Sequence, residues 1–124
     1  MKIGLIGLGA IGSYLAKQFP NEIIWAYDVD KEKAELKQNE IGGQFEIIEK
    51  IDENSLEKVD LVVEAASQQA VPLLIGALAC CDVMIMSVGA LADEKLLELL
   101  KRAAEENSTH VYLPSGAIAG LDGL

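Results

Sequence analysis

Residues 3–19 read IGLIGLGAIGSYLAKQF: an apolar run closes on Gly7, two further glycines follow at Gly9 and Gly12, and the chain then turns amphipathic. A short apolar strand that ends on a glycine and passes directly into a helix leaves few folds open, because the turn needs a residue free of a Cβ and the helix must pack back on its own strand. Each glycine has a separate task in such a unit. Gly7 permits the tight turn, Gly9 lets a ligand approach the backbone, and Gly12 lets helix and strand pack closely. The helix start then presents unpaired N–H groups from around Ala10 and Ile11, with a favourable dipole, to a phosphate.

Glycines at this spacing mean little alone, and the context supplies the rest. The next β-type run ends at Asp28, 21 positions after Gly7, where an acidic side chain accepts hydrogen bonds from an adenosine ribose. Asp30 follows closely. Two carboxylates there repel a 2′-phosphate and favour NAD, with NADP as the other possibility. The competing reading makes the glycines a plain helix–strand turn and Asp28 the cap of the next helix.

Short β-type runs alternate with helix-type runs along the whole chain. The strands are expected at 2–7, 22–28, 45–48, 60–65, 82–87 and 110–114, mostly apolar or β-branched, and such continuous apolar strands suit a sheet buried on both faces. Helices are expected from Ile11 to before Pro20, with Ile11, Tyr14, Leu15 and Phe19 as the apolar stripe; after Asp30; over 69–80, apolar nearly all round, with Pro72 in its first turn; and over 93–107, with Asp93 as the cap and Leu96, Leu99, Leu100, Ala103 and Ala104 as the stripe. Residues 39–58 are the least patterned. Strand and helix in this rhythm predict an α/β domain, Rossmann-type and doubly wound, with a mostly parallel six-stranded sheet and right-handed crossovers, occupying residues 1–124 as one dinucleotide-binding domain.

Composition narrows the partners. Hydrophobic residues make up 51% of the chain, yet no uninterrupted apolar run reaches the ~20 residues that cross a bilayer. The first residues enter a strand without the h-region of a secretory signal, so the expected setting is cytoplasmic, with no membrane partner. A formal charge of −10 repels phosphate backbones and excludes nucleic acid as an expected partner. Cys80 and Cys81 are adjacent, a spacing unsuited to a metal site or to a disulfide joining distant segments, and are expected to be reduced thiols near the end of a buried helix. No metal is expected.

Ligands in open α/β sheets bind outside the carboxyl ends of the strands. Those ends read GLGAIG, Asp28, EAASQQA, SVGAL and PSGAIAG. Ala65, Ala66, Gly89 and Gly116 leave room for close approach, and Ser67, Ser87 and Ser115 offer hydroxyls. The runs DLVVEAASQQAV, DVMIMSVGALAD and LPSGAIAGLDGL, after GLIGLGAIG, resemble the N-terminal NAD(P)-binding domain of the L-aspartate dehydrogenases over essentially the whole chain. Those enzymes oxidise aspartate with NAD or NADP to iminoaspartate, which hydrolyses to oxaloacetate and ammonia. The resemblance implies that Gly9, Ala10, Ile11, Asp28, Ala65, Ala66, Ser87, Val88 and Ser115 lie near the cofactor, with PSGAIAG toward the nicotinamide. It also implies a second domain, outside these residues, that carries the substrate site, a catalytic histidine and much of a dimer interface.

Within the chain the chemistry of hydride removal from aspartate finds few candidates. His110, the one histidine, is expected at the start of the last strand, on the edge away from the glycine turn. Lys95, Lys101 and Arg102 share a helix with Glu94, Glu98, Glu105 and Glu106 and read as a solvated face. Glu64 ends a strand at the cofactor edge, where its simplest role is a charge facing solvent or a helix terminus, and a role at the site is the alternative. The catalytic residues are unassigned. The expected protein is the coenzyme half of an aspartate dehydrogenase-like oxidoreductase, inactive without its other domain and prone to form homo-oligomers through the apolar surface at 113–124. The alternatives are a stand-alone NAD-binding sensor or subunit with a separate catalytic partner, and a homoserine or dihydrodipicolinate-type dehydrogenase, against which SVGALAD and PSGAIAG argue.

Overall fold

The structure, a computed structural model, describes residues 1–87 and 92–113. Its elements follow one another as β1 (Ile3–Ile6), α1 (Ala10–Gln18), β2 (Ile23–Tyr27), α2 (Lys31–Ile41), β3 (Glu46–Ile48), α3 (Glu53–Glu57), β4 (Leu61–Glu64), a 3₁₀ turn (Gln68–Ala70), α4 (Leu73–Ala77), β5 (Asp82–Ile85), α5 (Glu94–Asn107) and β6 (Val111–Tyr112). The strands form one six-stranded sheet in the order β3-β2-β1-β4-β5-β6. Every pairing is parallel, which is the doubly wound arrangement with its reversal of direction between β1 and β4.

Alternate side chains feed two cores, one on each face of the sheet. Ile6, Trp25, Val62, Val83 and Ile85 join Leu56 of α3, Leu74 and Ala77 of α4, and Leu100 and Ala104 of α5. On the other face Leu5, Ala26 and Val63 meet Ala16 of α1 and Ala34 of α2. The indole of Trp25 is 1% exposed, and its Nε1–H donates to the Ser55 carbonyl at 2.9 Å, which satisfies the one polar atom the ring buries. Parallel register aligns the strand ends: Ile6 lies opposite both Tyr27 and Glu64, and Glu64 opposite Ile85. The residues that follow these four therefore emerge side by side along one edge of the sheet.

Three expectations about the helices are corrected. The stripe of α1 does not face the core: Ile11, Tyr14 and Phe19 are 50%, 62% and 44% exposed, Leu15 is half-buried, and the buried face is Gly12, Ser13 and Ala16. The cause is distance. A Cβ at Gly12 would stand 1.9 Å from the Gly7 carbonyl oxygen, so α1 lies too close to the turn for anything but small side chains on its inner face. The continuous helix over 69–80 is instead a 3₁₀ turn followed by the five residues of α4. Pro72 has no N–H to continue the preceding turn and becomes the N-cap of α4. Only one face of that segment is buried, through Val71, Leu74, Ala77 and Leu78, while Leu73 is 43% exposed. In α5, Leu100 and Ala104 are buried and Leu96, Leu97 and Ala103 pack against them, whereas Leu99 turns outward.

The helix ends follow their sequence signals. Asp30 caps α2 by accepting from Lys33 N–H. Asp52 and Ser55 form a reciprocal capping box on α3, and the bonds from Ser55 hold the Asp52 carboxyl below its ordinary range. Asp93 caps α5 through Lys95 N–H and Leu96 N–H. Gly42 ends α2 at φ 68°. Cys80 and Cys81 are both free thiols, but only Cys81 is buried and Cys80 is exposed, because one face alone of the preceding segment packs inward; burial first, and then the neighbouring charges, push the Cys81 thiol up to about 11. No helix among the described residues is long and apolar enough to cross a membrane.

The close contact of α1 with its turn predicts a large, local penalty. Substituting Gly12→Ala should lower stability by about 3 kcal/mol, the upper end of what overpacking costs, read as a lower urea midpoint with an unchanged slope. Wild-type stability in that variant would mean that α1 sits farther from Gly7.

Candidate functional site

The turn between β1 and α1 is held from several sides. Gly7 has φ 100°, and a Cβ there would lie 2.8 Å from the Cα of Ala66, so both its conformation and its neighbour require glycine. Its N–H donates to the Tyr27 carbonyl at 2.7 Å. Leu8 is braced through both of its peptide groups: its N–H donates to Asp28 Oδ2 at 2.9 Å, and its carbonyl accepts from Ser13 Oγ at 3.0 Å. Ser13 was not among the residues singled out from sequence. Its only signal is a hydroxyl on the small inner face of α1, and it reaches five residues back, past the i−3 and i−4 carbonyls that a helical serine ordinarily bonds.

Gly9 differs from its neighbours. It is the N-cap of α1 with φ −76°, no side chain caps the helix, and a Cβ at Gly9 would meet nothing within 4 Å. Gly9, Ala10 and Ile11 are exposed. An uncapped helix start with the backbone open in front of it is a ready place for an anion, because the first N–H groups of a helix have no internal acceptor.

Asp28 stands beside this turn rather than at the next helix, whose cap is Asp30. Besides Leu8 N–H, its carboxylate accepts from Asp30 N–H at 3.0 Å. Two bonds leave free lone pairs on a group that offers about four acceptor positions. Asp28 borders a cleft of about 320 Å³ whose lining includes Gly7, Val29, Ala66, Ser67 and Leu73, within the range of roughly 300–1,000 Å³ usual for small-molecule pockets. Apolar walls with one carboxylate at the rim suit a flat aromatic group joined to a hydroxylated one.

On the other side of β1, Ala65 is buried, and its N–H donates to the Ile6 carbonyl at 2.8 Å. Ala66 and Ser67 are exposed, with Ser67 Oγ 3.3 Å from Gln69 Oε1. Ser87, after β5, is half-buried. The structure overturns the simplest reading of Glu64: it is 0% exposed, and its carboxylate faces neither solvent nor a helix end. Oε2 accepts from Ala66 N–H at 2.9 Å and from Ser87 Oγ at 2.8 Å, and Oε1 accepts from Ser87 N–H at 2.9 Å. Val88, Gly89 and Ser115, together with Gly116 and the apolar segment beyond Leu113, lie outside the described residues.

His110 is placed at the far edge of the sheet, as its position before β6 required. Its N–H donates to Asp82 Oδ1 at 2.9 Å, and its ring Nδ1 is 3.4 Å from the same oxygen. Asp82 begins β5, so this pair lies at the opposite ends of the strands from the glycine turn. Among the described residues Arg102 pairs with Glu98, at 3.9 Å on the exposed side of α5.

An all-parallel sheet in this order, with an open glycine turn and an acid after the second strand, defines a dinucleotide-binding domain of the Rossmann type. The chain belongs to the family of homoserine dehydrogenase NAD-binding domains, whose pattern matches residues 7–114. Along its whole length it is 40% identical over 130 residues to an L-aspartate dehydrogenase of Methanosarcina barkeri and 43% identical over 136 residues to that of Methanococcoides burtonii, and it covers 48% of each. The crystal structure of aspartate dehydrogenase from Thermotoga maritima superposes with a TM-score of 0.76 at 29% identity, over 97% of this chain and 48% of that one. The chain thus spans about half the length of the curated relatives it matches. The resemblance read from the sequence holds, and the matched family is one of NAD-binding domains.

Because the space before Gly9 is open and its φ is ordinary, Gly9→Val should fold normally. NAD affinity, measured by calorimetry, should fall by an order of magnitude or more, about 1.4 kcal/mol. Undiminished affinity in the folded variant would place the dinucleotide elsewhere.

Proposed function

We propose that the carboxyl edge of the sheet binds NAD, with the adenosine in the cleft beside Asp28, the pyrophosphate before Gly9 and the first N–H groups of α1, and the nicotinamide half on the side of β4 and β5. Gly7 and Gly12 shape the turn, and Ala10 and Ile11 supply backbone at the helix start. Ala65, Ala66, Ser67 and Ser87 border the second half; the family resemblance adds Val88 and Ser115, and the small residue Gly89 at the same strand end adds room for close approach. The observation that carries this reading is the row of strand ends, which sets an uncapped helix start between an apolar cleft with a carboxylate rim and a second cluster of small and hydroxylated residues.

Bound there, the nicotinamide supplies a hydride acceptor. The chain's own residues bind and orient it: Leu8 is locked between Asp28 and Ser13, so the turn is formed before a phosphate arrives, and preorganisation of this kind lowers the cost of binding. The free lone pairs of Asp28 accept from ribose hydroxyls, and its charge, with that of Asp30 nearby, repels a 2′-phosphate. NAD is therefore preferred to NADP. Tighter binding of NADP than of NAD in a calorimetric titration would overturn this role for Asp28.

The activity of the whole protein is proposed from its relatives: oxidation of L-aspartate to iminoaspartate and thence oxaloacetate and ammonia, in the cytoplasm, by a homo-oligomeric enzyme of which this chain is the coenzyme domain. Among the described residues Lys31, which follows β2 at the carboxyl edge, is paired with Glu49, and residues 7–13, 65–73 and 86–87, which follow β1, β4 and β5, include no lysine, arginine or histidine to clamp two carboxylates. Holding both reactants in place is worth about 7–11 kcal/mol of barrier, and a domain that holds one of them forgoes most of it. The 124 residues alone should bind NAD and form no NADH from aspartate. Joined to the remaining half found in the aspartate dehydrogenases, they should form it readily. Aspartate turnover by these residues alone, in a preparation free of longer enzyme, would contradict the division of labour.

A further inference from the structure

The buried carboxylate of Glu64 is unexplained by either packing or charge pairing. It is fully enclosed, and none of the salt bridges of the described residues reaches it. An ionised group removed from water without a counter-charge is held only by the hydrogen bonds it accepts. All three come from the segments that follow β4 and β5: the N–H of Ala66, the N–H of Ser87 and the hydroxyl of Ser87. An apolar residue at the end of β4 would fill the same space without this demand, as the apolar ends of β1 and β5 do at Ile6 and Ile85.

Geometry says what the carboxylate controls. Ala66 is the residue against which Gly7 packs, 2.8 Å from where a Cβ would stand, so Ala66 adjoins the glycine turn and lines the cleft beside Asp28. Ser87 lies after β5, on the other half of the sheet. In a doubly wound fold a dinucleotide lies across the reversal point, one nucleotide on each half. Glu64, at the end of β4, ties the crossing point to the second half.

We propose that Glu64 is a positioning residue for the nicotinamide half of the coenzyme: it fixes the peptide and hydroxyl of Ser87 relative to Ala66 and the glycine turn, so that the two halves of the dinucleotide site keep one spacing. This rests on the NAD reading above and adds to it a residue that need not touch the coenzyme. The consequence is selective. AMP occupies only the first half and gains nothing from the position of Ser87, whereas NAD needs both halves at once.

The test uses Glu64→Gln, which keeps the shape but turns one acceptor oxygen into a donor, so that the N–H of Ser87 or that of Ala66 loses its acceptor. Amide exchange without ligand should quicken at Ser87 or Ala66 and stay unchanged in the central strands. NAD should bind about tenfold more weakly while AMP binds within about twofold of wild type, the scale of one lost charge-assisted hydrogen bond. Ser87→Ala, which removes only the hydroxyl donor, should show the same selectivity to a smaller degree and cost little when added to Glu64→Gln. If Glu64→Gln fails to fold, Glu64→Asp takes its place: it keeps the charge but shortens its reach, and it should show the same loss for NAD with AMP spared. Wild-type affinity for NAD in the variants, or equal losses for NAD and AMP, would overturn the inference and leave Glu64 a structural residue. Failure of the unaltered chain to bind NAD or AMP would overturn the reading of the site, and this inference with it.

Discussion

The spacing between the first turn of α1 and the strand end it leaves is the constraint on which the rest depends. A Cβ at Gly12 would lie 1.9 Å from the Gly7 carbonyl, and one at Gly7 would lie 2.8 Å from Ala66. Those two contacts bring α1, β1 and the segment after β4 to a common point, and every feature of the site is arranged about it. Because α1 is pressed so close, its N-terminus opens at the edge of the sheet with Gly9 in front of it. Because β1 and β4 are neighbours there, Asp28 and Glu64 stand on opposite sides of the turn.

The two carboxylates do different work although both end parallel strands. Asp28 is partly exposed and keeps acceptor capacity after bonding Leu8 and Asp30, so it can brace the turn and still meet a ligand. Glu64 is enclosed, and its three donors are protein groups. Burial raises the value of those bonds, since an unpaired acceptor there would carry its full desolvation cost. In the proposed site one carboxylate recognises the coenzyme, and the other spaces its two halves.

Much of this was legible in the sequence, for identifiable reasons. The strands are short apolar runs, so their positions and the parallel, doubly wound sheet followed from pattern, whereas the order of its strands came only from the structure. Asp28 stood out because its distance from the glycine turn is fixed by the length of one strand–helix–strand unit. The inner face of α1 was misread because periodicity weighs hydrophobicity, whereas the close contact selects for size, so Gly12, Ser13 and Ala16 go inside and Tyr14 and Phe19 go out. The 69–80 helix was overextended because apolar spacing runs straight through Pro72, where the missing N–H divides it. The brace on Leu8 and the burial of Glu64 join residues 20 and 23 positions apart, and no local pattern encodes such a pair.

The central claim is that one edge of this sheet, and no other surface, receives NAD. Amide chemical shifts of the chain titrated with NAD test it most directly. The account predicts that the largest changes fall on Gly7 to Gly12, Asp28, Ala66, Ser67 and Ser87, with His110 and Asp82 at the far edge unmoved. Changes centred instead on the groove between α3 and α4, around Asp52, Gly76 and Cys80, would contradict it.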